Sequence, residues 1–260
     1  MRAVRKTGTP FVLAVDVGNT SAAFGFCAGA RIAGRGRQPT RACTPPRIAG
    51  ALAALVRDRP LDGIVYASVV PSADRVWLAV LRRLWPGRRV LRVSHRLRTG
   101  FRFRYPRPET LGADRIANAA GAVARWGPPV IVVDIGTATT FDVVSRRGFE
   151  GGVIAPGPDL MLDYLADRTA KLPRLKPAAL RGWIGKNTAQ AMQLGARWGY
   201  RGVVESILTH LACGVGLRAA TIVVTGGYAR SVFPCPARGL VLDPDLTLRG
   251  LARIHSLNAD

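Results

Sequence analysis

Two carboxylate-and-glycine turns and one Asp-Arg pair hold most of the chemistry visible in this chain. Asp16-Val17-Gly18-Asn19-Thr20 follows the apolar run Phe11 to Val15, and Asp134-Ile135-Gly136-Thr137-Ala138 follows Val130 to Val133. Each has an acid, one spacer, a glycine and a small polar residue. A glycine at a strand-to-strand turn permits positive φ and removes the Cβ that blocks close approach, so backbone N–H groups can face an anion. Asn19, Thr20, Thr137, Thr139 and Thr140 add side-chain donors. A carboxylate repels phosphate unless a cation lies between them. Asp16 and Asp134 therefore suit groups that organise a metal, usually Mg²⁺, around a nucleotide. An ordinary hairpin turn explains either copy alone. Two copies in matching contexts favour a pair of phosphate grips.

Both turns need strands to carry them. Their apolar, β-branched runs are those of strands buried on both faces, and each continues into a second strand, Ala22 to Phe26 and Thr139 to Val144. In the first half a helix is expected near Arg47 to Asp58, then a buried strand over Ile64 to Val70. Ser72 is placed to cap a helix running to Leu84, and short strands are expected at Val90 to Val93 and Phe101 to Tyr105. Pro108-Glu109-Thr110 opens a helix over Leu111 to Arg125. Gly127-Pro128-Pro129 breaks the chain before the second acid turn.

The second half repeats the plan. A strand over Gly148 to Val153 runs into a glycine-rich turn, Gly151 to Gly157, followed by a helix. A long helix starts at Asn187, a buried strand spans Thr221 to Val224, and a further helix passes through Leu246 to Ile254. Strands then helices, given twice, predict an α/β protein of two duplicated domains, residues 11–127 and 128–260, with an active-site cleft between them.

Composition bounds the function classes. At 260 residues with 48% hydrophobic content, the chain can build a substantial core. No apolar run reaches the roughly 18 residues of a membrane span, and the run after the basic leader Met1 to Pro10 is too short for a secretory signal. The expectation is a cytoplasmic protein with a frayed leader and no membrane partner. Cys27, Cys43, Cys213 and Cys235 have neither metal-ligand nor disulfide-framework spacing, and His95, His210 and His255 form no metal pattern. The net charge of +22 raises a nucleic-acid partner. Arginine supplies nearly all of it, spread over many predicted helices, although Arg82 to Arg107 is a dense arginine-aromatic stretch. Nucleic acid stands as the lesser reading.

Six motifs in order carry a family resemblance: the two acid turns, Leu111-Gly112-Ala113-Asp114-Arg115-Ile116-Ala117-Asn118, Gly151-Gly152-Val153-Ile154-Ala155-Pro156-Gly157, Gly185-Lys186-Asn187-Thr188 and Thr225-Gly226-Gly227. Together they resemble type III pantothenate kinases, of the actin-like (ribonuclease H-like) superfamily that includes acetate and sugar kinases. The resemblance implies a mixed sheet flanked by helices in each domain, and ATP-dependent phosphorylation of pantothenate at the first step toward coenzyme A. It also implies a homodimer, Mg²⁺ and a monovalent cation, K⁺ or NH₄⁺. By the resemblance, Asp114 is the proton acceptor, and Tyr105, Gly112, Ala113, Asp114, Arg115 and Thr188 bind substrate. Asp16, Val17, Gly18, Asn19, Thr20, Ser21, Ala22, Ala23 and Thr137 bind ATP, and Asp134 holds the monovalent cation. The chain departs from the family where Pro106 directly follows Tyr105. The alternatives are another small-molecule kinase of the same superfamily, or a nucleic-acid-associated transcription accessory factor.

The residues allow these roles without requiring them. A hydroxyl attacking a γ-phosphoryl group needs in-line placement, charge neutralisation and a proton acceptor. Asp114, near a helix start, serves either as that acceptor or as compensation for the helix dipole. Arg115 suits a bidentate grip on a substrate carboxylate, or a surface salt bridge. Tyr105 can wall a pocket or pack on its neighbours, and Thr188 can bind substrate or cap its helix. Asp134 can hold Mg²⁺ or K⁺. Asp142 either supports the same site or faces solvent.

Overall fold

The structure, a computed structural model, describes residues 10–57, 59–178, 182–214, 217, 219–234 and 239–259. Most of the expected leader, and Cys235, lie outside the described residues. Two compact units form: Met1–Arg125 with Asp245–Asp260, and Trp126–Pro244.

The first unit is built from β1 (Phe11–Val17), β2 (Ser21–Ala28), β3 (Arg31–Pro39), α1 (Pro45–Val56), β4 (Gly63–Ser68), α2 (Pro71–Leu84), β5 (Val90–Arg92) and α3 (Ala113–Trp126). The second contains β6 (Val130–Ile135), β7 (Ala138–Ser145), β8 (Gly148–Pro156), α4 (Pro158–Arg168), α5 (Thr188–Gly214), β9 (Thr221–Thr225), α6 (Ala229–Val232) and β10 (Leu240–Leu242). Helix α7 (Leu246–Leu257) then returns to the first unit.

Each unit holds a mixed five-stranded sheet. The orders are β3-β2-β1-β4-β5 and β8-β7-β6-β9-β10, the same arrangement twice. In both, the first strand pairs antiparallel with the second and parallel with the fourth. Alternation along the strands divides their side chains. Leu13, Val15 and Val17 point into a core with Ile48 and Leu52 of α1 and Trp77 and Leu81 of α2. Ile131, Val133 and Ile135 do the same with Tyr200, Val204 and Leu208 of α5. Asp16 and Asp134, one step out of phase with these residues, lie on the opposite face of each sheet. Hydrophobic patterning thus leaves each acid on the face away from that core.

Four local expectations change. Residues Gly151 to Pro156 form part of β8 instead of a turn. Gly151 takes a positive φ of 131° beside a register shift in β7, and the missing Cβ of Gly152 leaves room for the Phe141 carbonyl. Phe101 to Tyr105 is an irregular segment with a single bridge at Phe103, not a strand, and the Phe101 and Phe103 rings meet edge to face at 5.2 Å. Helix α2 starts at Pro71 with Val70 before it, so Ser72 is no cap. Pro108–Thr110 is a separate 3-10 turn ahead of α3.

Helix α7 packs on β1, β2 and β4, although the sequence reading places it in the second domain. Its apolar side buries Leu246, Leu248, Leu251 and Ile254, with Leu248 filling the space left by Gly25 on β2. It also meets α3 at paired glycines. Gly250 has no room for a Cβ against the Ala117 carbonyl, and a Cβ on Gly121 would stand 2.8 Å from the Leu246 carbonyl. Thr247 donates to the buried Asn118 at 2.7 Å. Close backbone approach therefore fixes α3 on α7, and α3 carries Asp114 at its start.

Candidate active site

In the first unit the Asp16 turn is held from two sides. Gly18 N donates to Ser21 O at 3.1 Å, closing the turn. Thr40, just past β3, donates its hydroxyl to Gly18 O at 2.7 Å and its amide to Thr20 O at 3.0 Å. Val17 and Ala22 send fully buried side chains into the core, so only their backbone can face a ligand. Asn19 and Thr20 are exposed at the tip.

The segment leaving β4 stays beside this turn, because Val69 N donates to Val17 O at 3.1 Å. Val69 also lies against Gly112, 3.4 Å from where a Cβ would stand. The same strand end thus gathers the Asp16 turn and the Gly112–Arg115 segment. Gly112 O accepts the first bond of α3, from Ile116 N at 3.2 Å. The Asp114 carboxylate folds back over the bare Cα of Gly112, where any side chain would collide with it. Asp114 Oδ1 accepts from Arg115 N at 2.8 Å.

Burial raises the Asp114 carboxyl above its ordinary value, against the lowering influence of the Arg115 amide and guanidinium. Helix-start stabilisation of the anion, which the sequence suggests, is outweighed by desolvation. The result is a half-buried carboxylate with more basic character than a free one. Arg115 and Tyr105 are also half-buried.

In the second unit Gly136 N donates to Ala138 O at 3.1 Å, matching the Gly18 contact. This turn is one residue shorter: paired positions flank it at Ile135 and Thr139, against Val17 and Ala22 in the first copy. Two further segments converge on it. Gly157, before α4, donates to Thr137 O at 3.0 Å. After β9, Gly226 (φ +97°) presses its Cα on the turn, so that a Cβ would stand 2.5 Å from Asp134 Oδ1.

Thr140 is paired across the sheet from Asp134, and its buried hydroxyl oxygen has no hydrogen-bond partner. A carboxylate beside an oxygen with spare capacity, under a glycine that leaves space, fits a hard cation with oxygen ligands. Among the described residues, no three carboxylate, histidine or cysteine side chains gather as a complete metal cage.

Other candidates are relocated. Thr139 is fully buried and shares a short hydrogen bond with Tyr200 of α5, so its hydroxyl belongs to the core and not to a phosphate grip. Asp142 is also fully buried, which rules out the solvent-facing reading; opposite Val132, it shares the face of Asp134. Asn187 caps α5, its Oδ1 accepting from Gln190 N at 2.9 Å, while Thr188 is exposed in the first turn. Asp16, Tyr105 and Gly112 to Arg115 belong to the first unit, and Asp134, Thr137 and Thr188 to the second. The sequence reading missed Tyr228 and Asp159, which share a hydrogen bond in the second unit. Their one signal was position, directly after Gly226-Gly227 and Gly157-Pro158.

A family profile described as type III pantothenate kinase matches residues 12–210. The chain belongs to the type III pantothenate kinase family. Proteins bearing that family's name are 38% identical in Moorella thermoacetica, over 95% of this chain and 99% of the relative, and 40% identical in Rhodospirillum centenum, over 95% and 99%. Among solved structures, a Baf-family transcriptional activator from Campylobacter jejuni aligns at 18% identity with TM-score 0.60, covering 95% of this chain and 98% of that one. A ROK-family glucokinase from Streptomyces griseus aligns at 14% identity with TM-score 0.52, covering 95% and 99%. At these identities the two structures speak to fold alone. One mixed sheet flanked by helices, given twice, forms the duplicated actin-like architecture of this family.

Proposed function

We propose that this protein transfers the γ-phosphoryl group of ATP to the primary hydroxyl of pantothenate, the first step of coenzyme A synthesis. Membership of the family gives the reaction, and Asp114 is the observation that carries it to particular atoms. It is a half-buried carboxylate with raised proton affinity, at the strand end that also carries the Asp16 turn.

In this reading Asp114 accepts the hydroxyl proton. The transition state is loose and the proton leaves late, so orienting the hydroxyl matters more than raw basicity. Arg115 pairs with the pantothenate carboxylate, and Tyr105 and Thr188 line the acceptor, with Gly112 and Ala113 supplying backbone. Neighbouring helical residues diverge by about 100°, so Asp114 and Arg115 address different parts of one extended molecule.

The backbone of Asp16 to Ala23 and Thr137 hold the nucleotide phosphates. Asp134, with the Thr140 hydroxyl, would hold a monovalent cation. Mg²⁺ arriving with ATP would neutralise charge on the phosphates. The protein acts in the cytoplasm as a homodimer; Trp183, Trp198 and Val203, exposed in and just before α5, with Trp183 and Trp198 in ring contact at 6.0 Å, support such a face.

The test is ADP release from ATP and Mg²⁺, with and without pantothenate and K⁺. Release that depends on pantothenate and rises with K⁺ is expected. Release indifferent to pantothenate would overturn the reading.

A further inference from the structure

One polar contact in the second unit has no part in the proposed reaction. The Tyr228 hydroxyl donates to Asp159 Oδ2, joining the residue after the Thr225–Gly227 turn to the first turn of α4. Each partner sits on a segment already tied to the Asp134–Thr137 turn: Tyr228 N donates to Ile135 O at 3.1 Å, and Gly157 N to Thr137 O at 3.0 Å. The side-chain bond joins those two segments to each other. Three segments are thereby closed into a ring at the strand end that carries Asp134.

The contact has a cost that a purely structural tie would avoid. Asp159 Oδ1 is buried with no hydrogen-bond partner. A buried acceptor left unmade is unfavourable, more so when it carries charge. The carboxylate also sits in the first turn of α4, at the end of the helix dipole that favours negative charge. Desolvation, and the Asp159 and Asp163 carboxylates, push the Tyr228 phenol up to about 12, so it remains a donor at physiological pH.

We infer that the Tyr228–Asp159 hydrogen bond is a positioning contact for the nucleotide, setting the spacing of the α4 start and the Thr225–Gly227 turn around Asp134 and Thr137. The inference rests on the second unit's turn binding ATP phosphates. It acts through those segments and not on the reacting atoms.

Steady-state kinetics of the full-length protein and of Tyr228→Phe, Asp159→Asn and Asp159→Leu test it. Tyr228→Phe and Asp159→Leu should raise KM for ATP by about three- to tenfold, less than the roughly tenfold or more of a charge-assisted hydrogen bond made to the ligand itself, because the contact acts through the segments it joins. KM for pantothenate should move less than about twofold, and Tm should be retained. Asp159→Asn keeps an acceptor for the phenol and should recover most of the ATP affinity. An unchanged KM for ATP in Tyr228→Phe overturns the inference. So does a parallel rise of both KM values with a lowered Tm, which marks a structural tie alone. Titration of a fluorescent ATP analogue into the same variants reads the contact without turnover, and equal affinities overturn it. Lack of pantothenate-dependent ADP release from the unaltered protein instead counts against the kinase reading, and the titration still decides this contact.

Discussion

Asp114 is a carboxylate that its surroundings disfavour as an anion. With its pKa raised in the folded state, it stabilises the fold fully only below its unfolded pKa, and that contribution is lost as pH rises through the folded value. At neutral pH the ionised side chain therefore strains the fold while serving the reaction. Asp114→Asn should lower kcat by roughly 10² to 10⁴ while Tm holds or rises, because the amide oxygen can still accept from Arg115 N and the buried charge is gone. Kinetics paired with thermal melts check this; retained turnover would remove Asp114 from the chemistry. The residue was legible from the Gly-Ala-Asp-Arg run. Its raised proton affinity was not, because desolvation comes from how the chain packs around it. Asp142 shows the same limit: alternation fixed its face of the sheet but not whether that face was covered.

Among the elements, α3 and α7 carry the tightest constraint. Their backbones meet at Gly121 and Gly250 with no space for a Cβ, and rigid backbone cannot yield as a flexible side chain would. Gly250→Ala should destabilise by about 1 to 3 kcal/mol, seen as a lowered denaturant midpoint, and kcat should fall with it as the start of α3 shifts. A variant with unchanged stability would show that the crossing relaxes freely.

On the same helix, His255 occupies the space beside Gly63, and its Nδ1 is buried with no hydrogen-bond partner. Burial lowers its pKa, opposed by the nearby Asp62 carboxylate. A base whose folded pKa is depressed binds fewer protons folded than unfolded, so stability should fall as pH drops below about 6.5. His255→Gln should flatten that part of a Tm-against-pH curve; an equally steep curve would assign the loss to other groups. Most strands and helices followed from apolar periodicity, which says nothing of the order of the strands in each sheet. What failed was reading glycines as turns: Gly151 and Gly152 lie in β8, where Gly151 takes a positive φ and the lack of a side chain on Gly152 matters for approach to Phe141 and not for chain reversal. The pairing of α7 with α3 was likewise hidden, since contact between distant segments leaves no local pattern.

For the molecule as a whole, charge is the dominant bulk property. Some 38 basic side chains share 16 acidic ones, so most arginines cannot have an acidic partner of their own. Among the described ion pairs, Asp245 serves both Arg35 and Arg249. Self-repulsion should therefore be relieved by salt. Moving from about 10 mM to about 150 mM ionic strength, where the screening length falls to roughly 8 Å, should raise Tm by a few degrees. A melting temperature insensitive to salt would mean that the positive charges are too dispersed to matter.

The route of the chain has a bearing on synthesis. Helix α7 is made after every residue of Trp126–Pro244, yet it belongs with Met1–Arg125. Domains tend to fold as they leave the ribosome. Here the later-made unit holds all of its own strands while the earlier one still waits for a helix. A nascent chain halted between the two would carry Asp114 on an α3 that lacks its glycine-seated support, and so would be open to proteolysis before it could be active.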